Sequence, residues 1–202
     1  MLTIALPKGR IADETLDRFE KAFGEKFVFE DRKLILEKSG FKFLNVRNQD
    51  VPTYVMHGAA DLGVVGLDVL EEKEYDLIKL LDLKLGKCKV AFGLRAGESI
   101  NFDKSKITIA TKHEKIAKKY FEQKAMAVEI IKLYGSIELA PLVGLCDCIV
   151  DIVETGETMK QNGLEVGPTI METTAHLIAN KNSFYAKKDL IFDLKDKLEK
   201  FL

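Results

Sequence analysis

The sequence predicts an α/β fold. Short β-rich apolar runs alternate with helical stretches along the chain, and polar turns, several of them bearing glycine, fall where one gives way to the other. No linker, low-complexity segment or internal repeat interrupts the alternation. The first strand is Leu2–Leu6 and the first helix Ile11–Phe23. Strand Phe41–Val46 leads into helix Val51–His57, with Pro52 suited to its first turn and Asp50 to its cap. Leu62–Val65 reads as a buried strand, and Val90–Leu94 and Ile107–Ala110 as two more. Helix Lys112–Gln123, strand Ala127–Ile131, helix Glu138–Leu145, strand Cys148–Val150 and helix Gly156–Asn162 follow. The apolar segment Thr173–Ala179 holds the last strand, Ala175–Ala179. Helix Lys187–Phe201 then carries Leu190, Ile191, Leu194, Leu198 and Phe201 as one core-facing stripe. Arg95–Ser99 marks a break near mid-chain, with one βαβ set before it and another after. Two lobes joined by crossing strands around a cleft give this pattern, and a single continuous sheet gives it equally.

The 202 residues suffice for one large domain or two small lobes, burying roughly 70% of the unfolded surface. With 31 basic and 32 acidic residues the net charge is −1, which does not suggest a general nucleic-acid surface. No apolar run is long enough for a bilayer, and the first residues lack the pattern of a secretory signal, so a cytoplasmic location is expected. Three cysteines, Cys88, Cys146 and Cys148, read as thiols in or beside strands rather than a disulfide framework or metal site. His57, at a helix end, His113, in a basic helix start, and His176, in an apolar strand, read as structural or solvated. No Ser/His/Asp arrangement or Cys/His dyad is evident.

The most informative stretch is Cys148 to Met159: an apolar run, Asp151, Glu154, then Thr155-Gly156-Glu157-Thr158 opening a helix. Backbone N–H groups at a helix start favour an anion, hydroxyls of Thr155 and Thr158 add donors, and Gly156 admits close approach. The carboxylates repel phosphate but accept hydrogen bonds from ribose hydroxyls, so a phosphorylated ribose suits the pattern. A Thr-capped helix with no ligand is the other reading. Leu6-Pro7-Lys8-Gly9-Arg10 places two cations after the first strand, where open α/β sheets bind ligands. Arginine there suits bidentate phosphate contact, and a solvated basic loop is the alternative. Arg32 lies in the polar stretch Glu30–Lys33, and Arg47 at a strand end well placed for a ligand. Gly66 and Asp68 stand either as an ordinary helix start or as contacts for a base or sugar.

Together, Leu6–Arg10, Arg47–Pro52, Asp61–Asp68 and Gly135–Pro141, running on through Asp151–Thr158, resemble the ATP phosphoribosyltransferase family. The last stretch is close to a family signature, with Glu154 where many members carry serine, an added negative charge beside the phosphate loop. The resemblance implies a two-lobed fold like a type II periplasmic binding protein, with the active site in the interlobe cleft. Lobe I would take residues 1–92 and 175–202, and lobe II residues 93–174. It implies the reaction of ATP with phosphoribosyl pyrophosphate to N1-(5-phosphoribosyl)-ATP and pyrophosphate, the first step of histidine biosynthesis. Ending after helix Lys187–Leu202, the sequence resembles the short form of the family, which is expected to be without the C-terminal regulatory domain of the long form. Short-form members need a separate subunit similar to histidyl-tRNA synthetase, in a hetero-octamer, with histidine inhibition residing partly in that partner.

Under this resemblance adenine N1 is the nucleophile and no protein nucleophile is needed. Asp151, Glu154, Thr155, Gly156, Glu157 and Thr158 would bind phosphoribosyl pyrophosphate. Lys8, Gly9, Arg10, Arg32, Arg47, Gly66, Asp68 and Glu138 would serve ATP and pyrophosphate, with Lys8 and Arg10 giving electrostatic support. Mg²⁺ would be held mainly by substrate rather than by a protein cage. The rivals are a phosphoribosyltransferase using a free base and a two-lobe binding module for a phosphorylated ligand.

Overall fold

The computed structural model describes residues 1–202, which divide into two compact units, Met1–Gly86 with Thr174–Leu202, and Lys87–Thr173. The first holds strands β1 (Leu2–Pro7), β2 (Ile35–Lys38), β3 (Phe41–Val46), β4 (Leu62–Gly66) and β5 (Ile78–Asp82). Its helices in this part are α1 (Arg10–Phe23), α2 (Val51–Met56) and α3 (Leu67–Lys73). The second holds β6 (Cys88–Arg95), β7 (Ile107–Thr111), β8 (Val128–Lys132), β9 (Cys148–Val153) and β10 (Leu164–Thr173), with α4 (Glu114–Gln123), α5 (Leu139–Leu142) and α6 (Glu157–Gln161). The chain then returns to the first unit as β11 (Ala175–Ala179), α7 (Lys181–Ala186) and α8 (Lys188–Glu199).

The first sheet runs β2-β3-β1-β4-β11-β5, with β1 parallel to β3 and β4, and β11 antiparallel to β4 and β5. Strands β1 and β4 are near-continuous apolar runs, as a strand covered on both faces requires. One face packs Ala12, Leu16 and Phe19 of α1 and Ile191, Leu194 and Leu198 of α8. The other packs Val51 and Val55 of α2 and Val69 and Leu70 of α3. The C-terminal stripe is narrower than its spacing suggests, since Leu190 and Phe201 remain exposed at 52% and 42%.

The second sheet runs β10-β6-β9-β7-β8, with β7 parallel to β8 and β9. Side chains alternate across β9. Cys148 and Val150 enter a core with Ile116, Ala117 and Phe121 of α4. Ile149 and Val153 enter another with Ala140 of α5 and Met159 of α6.

Several elements differ from the sequence reading. β9 continues through Asp151 to Val153, because β6 pairs with it as far as Lys89–Val153, so Asp151 lies in a strand rather than in the turn after it. The expected division at 92/93 runs through β6, which pairs with β9 and β10 and so belongs wholly to the second unit. The mid-chain break is a turn after β6, closed by the Glu98 N–H to Arg95 carbonyl bond and an Arg95–Glu98 ion pair. Asp50 sits at the expected cap position of α2 but makes no side-chain cap bond, since a 3-10 turn at Asn48–Asp50 holds it in helical conformation. Helix Glu138–Leu145 shortens to α5.

Candidate active site

Most of the basic candidates meet at one edge of the first sheet. Pro7 and Val46 are register partners at the ends of parallel β1 and β3, and the Lys8 N–H donates to the Val46 carbonyl at 2.8 Å. Lys8, Gly9 and Arg10 therefore leave the sheet beside Arg47, and all four are exposed. Gly9, at φ 93° and ψ −156°, occupies backbone space closed to other residues and turns the chain into α1. Its carbonyl accepts from Ala12 N–H at 2.9 Å and begins that helix. Arg32 precedes β2, which runs antiparallel to β3. The Asn45 N–H bond to the Leu34 carbonyl, 2.8 Å, brings the 32–34 segment to the same edge. This is the carboxyl edge of β3, β1 and β4, the end at which open α/β sheets bind ligands.

At the end of β4, Gly66 is the residue flanking α3, and Asp68 lies in that helix's first turn, 3% exposed. The sequence left Asp68 either as part of an ordinary helix start or as a contact for a base or sugar, and the structure buries it in that first turn. Asn45 and Asn48 on the neighbouring segment each carry a buried side-chain oxygen with no hydrogen-bond partner.

The second unit holds the acidic and hydroxyl candidates around a cavity of about 290 Å³. Glu138, Asp151, Glu154, Thr155, Gly156, Glu157 and Thr158 all line it, joined by Cys88 and Met159. Gly156 takes the left-handed conformation, φ 83°, at the start of α6, and a Cβ there would meet Val166 Cγ2 at 2.8 Å. Only glycine closes this loop without strain. Thr155 Oγ1 accepts from the Glu157 N–H at 3.3 Å across Gly156, the N-cap position of α6, while its own proton stays available to donate. Thr158 is exposed in the first turn of α6.

Asp151 stands beside Lys112, which the sequence reading passed over, and beside His113, which it took as structural or solvated. Its Oδ1 accepts from the Ile152 N–H at 2.7 Å, stands 2.9 Å from Lys112 Nζ and 3.7 Å from His113 Nε2. His113, 1% exposed, is the residue flanking α4. Lys112 and His113 follow β7, and Thr111 is the register partner of Val150 in β9. The Thr111 hydroxyl donates to the Val150 carbonyl at 2.6 Å, locking the two strand ends together. Lys112 and Asp151 lie 39 positions apart, so only the pairing of two strands brings them together. Cys88 was missed for a similar reason: its position beside the loop depends on the β6–β9 register. No group of three or more His, Cys, Asp or Glu side chains is placed to hold a metal ion.

The three cysteines are free. Burial pushes the Cys148 thiol up to about 12 and raises Cys146, which removes both from thiolate chemistry at neutral pH. No helix is long and apolar enough to cross a membrane.

The sequence profile of ATP phosphoribosyltransferase (HisG) matches residues 47–200. An ATP phosphoribosyltransferase of Wolinella succinogenes is 67% identical over 200 residues, covering 99% of this chain and 97% of the relative. One from Helicobacter hepaticus is 60% identical over 202 residues, covering 100% and 98%. Among solved structures, the ATP phosphoribosyl transferase (HisG:HisZ) complex from Thermotoga maritima contains a similar chain. It has TM-score 0.83 and 36% identity, with 99% of this chain and 98% of that one covered. The substrate binding protein of an amino acid ABC transporter matches at TM-score 0.61 and 13% identity, over 98% of this chain and 91% of its own. That likeness concerns the fold alone, the two-sheet α/β architecture of the periplasmic binding proteins.

Proposed function

The chain belongs to the ATP phosphoribosyltransferase family, and from that premise we propose how its two edges share the reaction. It transfers the phosphoribosyl group of phosphoribosyl pyrophosphate to N1 of ATP and releases pyrophosphate. The observation that carries this reading is the Asp151–Thr158 loop around one cavity, in a chain 67% identical to a named relative over nearly its whole length.

The nucleophile is the substrate's adenine N1, which attacks the anomeric carbon as the carbon–oxygen bond to pyrophosphate breaks. Positive charge gathers on the sugar and negative charge on the leaving group, so the protein's part is positioning and electrostatics. In our assignment the Thr155 and Thr158 hydroxyls and the loop around Gly156 take the 5′-phosphate, with Glu157 beside them. Asp151, with Glu154 alongside, accepts from the ribose hydroxyls. Glu138 lies close enough to the loop to help orient the sugar or adenine. Lys8, Arg10, Arg32 and Arg47, clustered at one sheet edge, serve the triphosphate and pyrophosphate, and Gly9 lets the backbone approach. Gly66 and the buried Asp68 shape the end of β4, Asp68 acting from beneath rather than as an exposed contact. Mg²⁺ would be held mainly by substrate rather than by side chains of this chain, and would supply neutralisation of the charge on the leaving pyrophosphate.

We further assign the chain to the short form, acting in the cytoplasm with a regulatory subunit similar to histidyl-tRNA synthetase in a hetero-octamer. The support is the HisG:HisZ complex whose chain this one resembles along its length. The test is pyrophosphate release from ATP, phosphoribosyl pyrophosphate and Mg²⁺ with the candidate partner present. ATP-dependent release with a phosphoribosyl-ATP mass in the products is expected. Release with a free purine or pyrimidine but not with ATP would overturn the assignment.

A further inference from the structure

We propose that Lys112 is a positioning residue for the phosphoribosyl substrate, acting through the Asp151 carboxylate; this rests on the assignment of Asp151 to the ribose hydroxyls. The three contacts of Asp151 all fall on Oδ1: the Ile152 N–H at 2.7 Å, Lys112 Nζ at 2.9 Å and His113 Nε2 at 3.7 Å. A hydrogen bond and an ion pair on one oxygen restrain rotation about the Cβ–Cγ bond, and they hold the carboxylate at the wall of the cavity that the sugar would enter. The carboxylate is 13% exposed and the lysine 35%, so the pair is shielded from water enough for its geometry to persist. Its backbone frame is rigid, because the strands that carry the two residues are in register and cross-linked by the Thr111 hydroxyl.

Charge gives Lys112 a second part in the same task. Glu138, Asp151, Glu154 and Glu157 line the cavity, and no lysine or arginine does. A substrate bearing a phosphate and a pyrophosphate meets four carboxylates there. Lys112 neutralises the one assigned to the sugar, so that the hydroxyl contact is made without full repulsion of the neighbouring phosphate. The residue acts on the ground-state grip of the phosphoribosyl substrate, and the ATP side is untouched.

The experiment is steady-state kinetics of Lys112→Met, Lys112→Arg, Asp151→Asn and the Lys112→Met/Asp151→Asn pair, in complex with the regulatory subunit. Lys112→Met should raise KM for phosphoribosyl pyrophosphate about tenfold, with KM for ATP held within about twofold. Lys112→Arg, which keeps the charge, should restore most of the loss. In the Asp151→Asn background Lys112→Met should add less than about twofold, since its partner's charge is already gone. A wild-type KM in Lys112→Met, beside an impaired Asp151→Asn, would overturn the inference while leaving the site assignment standing. Effects that multiply in the double variant would also overturn it, showing that Lys112 works independently of Asp151. Wild-type kinetics in Asp151→Asn would instead sink the assignment beneath both. Should Lys112→Met fail to fold, Lys112→Gln in the same double-variant scheme gives the same decision.

Discussion

The two units place the same arrangement of strands under opposite chemistry. In the first, the parallel trio β3-β1-β4 is flanked by antiparallel β11; in the second, the trio β8-β7-β9 is flanked by antiparallel β6. The centre strand of each trio comes first in the chain, and a lysine follows it: Lys8 after β1, Lys112 after β7. After that the units diverge. Lys8 is followed by glycine at positive φ and an exposed arginine. Lys112 is followed by a buried histidine and is already paired with Asp151. The third strand of one trio ends at Gly66, beside a buried aspartate, and that of the other opens into hydroxyls and carboxylates. One edge offers exposed cations, as a triphosphate requires. The other offers a neutralised acid and hydroxyl donors, as a phosphorylated sugar requires. The strand order creates the place, and the first few residues beyond each strand decide what binds there.

The largest way to break this comparison is in the cores beneath the edges. Phe19 is fully buried and contacts the rings of Phe23, Phe27, Phe41 and Phe43. Phe19→Ala should cost about 3–5 kcal/mol in denaturant unfolding of the first unit. A change below about 1 kcal/mol would mean the ring cluster carries little of that unit's stability. Next comes the acidic edge: Asp151→Asn should weaken the phosphoribosyl substrate and lower turnover by about tenfold to a hundredfold with unchanged circular dichroism. Thr158→Val should raise KM for the same substrate while leaving KM for ATP alone. Equal damage to both substrates would blur the division between the edges.

A smaller effect concerns pH. Burial pushes the Asp82 carboxyl up, but the Lys84 ammonium and N–H, the Thr174 hydroxyl and nearby His176 outweigh it and hold it down at about 2 against an ordinary 3.8. A depressed carboxylate stabilises the fold above its unfolded value, and that stability is lost as pH falls from 3.8 towards about 2. Asp82→Asn should therefore destabilise by about 1 kcal/mol at pH 6, the shift being discounted for solvent screening, and by much less near pH 2. An equal loss at both pH values would assign the effect to packing. The smallest test is thiol labelling. Half-buried Cys88 should react first and slow when phosphoribosyl pyrophosphate fills the cavity beside it, while buried Cys146 and Cys148 stay inert. Substrate-independent labelling of Cys88 would separate it from the site.

The legible parts of the sequence were those with a one-sided physical signal. Apolar runs such as Leu62–Val65 read as strands because both faces are covered, and Thr155-Gly156-Glu157-Thr158 read as a loop because glycine and hydroxyls recur there. β2 gave no such signal, since Ile35, Glu37 and Lys38 are exposed and its edge position rests on pairing with β3 alone. β10 carries Gly167 and Pro168 and shifts register against β6, which masks any alternation. β5 is only partly buried. Among site residues, the arginines and the loop were legible by type. Lys112 and Cys88 were not, because nothing local distinguishes a lysine that will face an aspartate 39 residues later. Asp68 kept two readings in the sequence, because its burial is set by the packing of α3 against β4.

The place of β11 in the first sheet has a consequence for synthesis. It lies between β4 and β5, yet it is made more than ninety residues after either of them begins to emerge. Asp61 completes its shell only with Ser183 and Lys187, which bond its carboxylate at 2.7 Å. A nascent chain released as far as residue 173 thus has the continuous second unit whole. The first unit is still open, with one edge of β4 and both edges of β5 unpaired. Such edges template pairing with other chains, and pairings of long sequence separation form slowly. The order of translation therefore completes the central unit first and leaves the sheet of the terminal unit open until β11 is made.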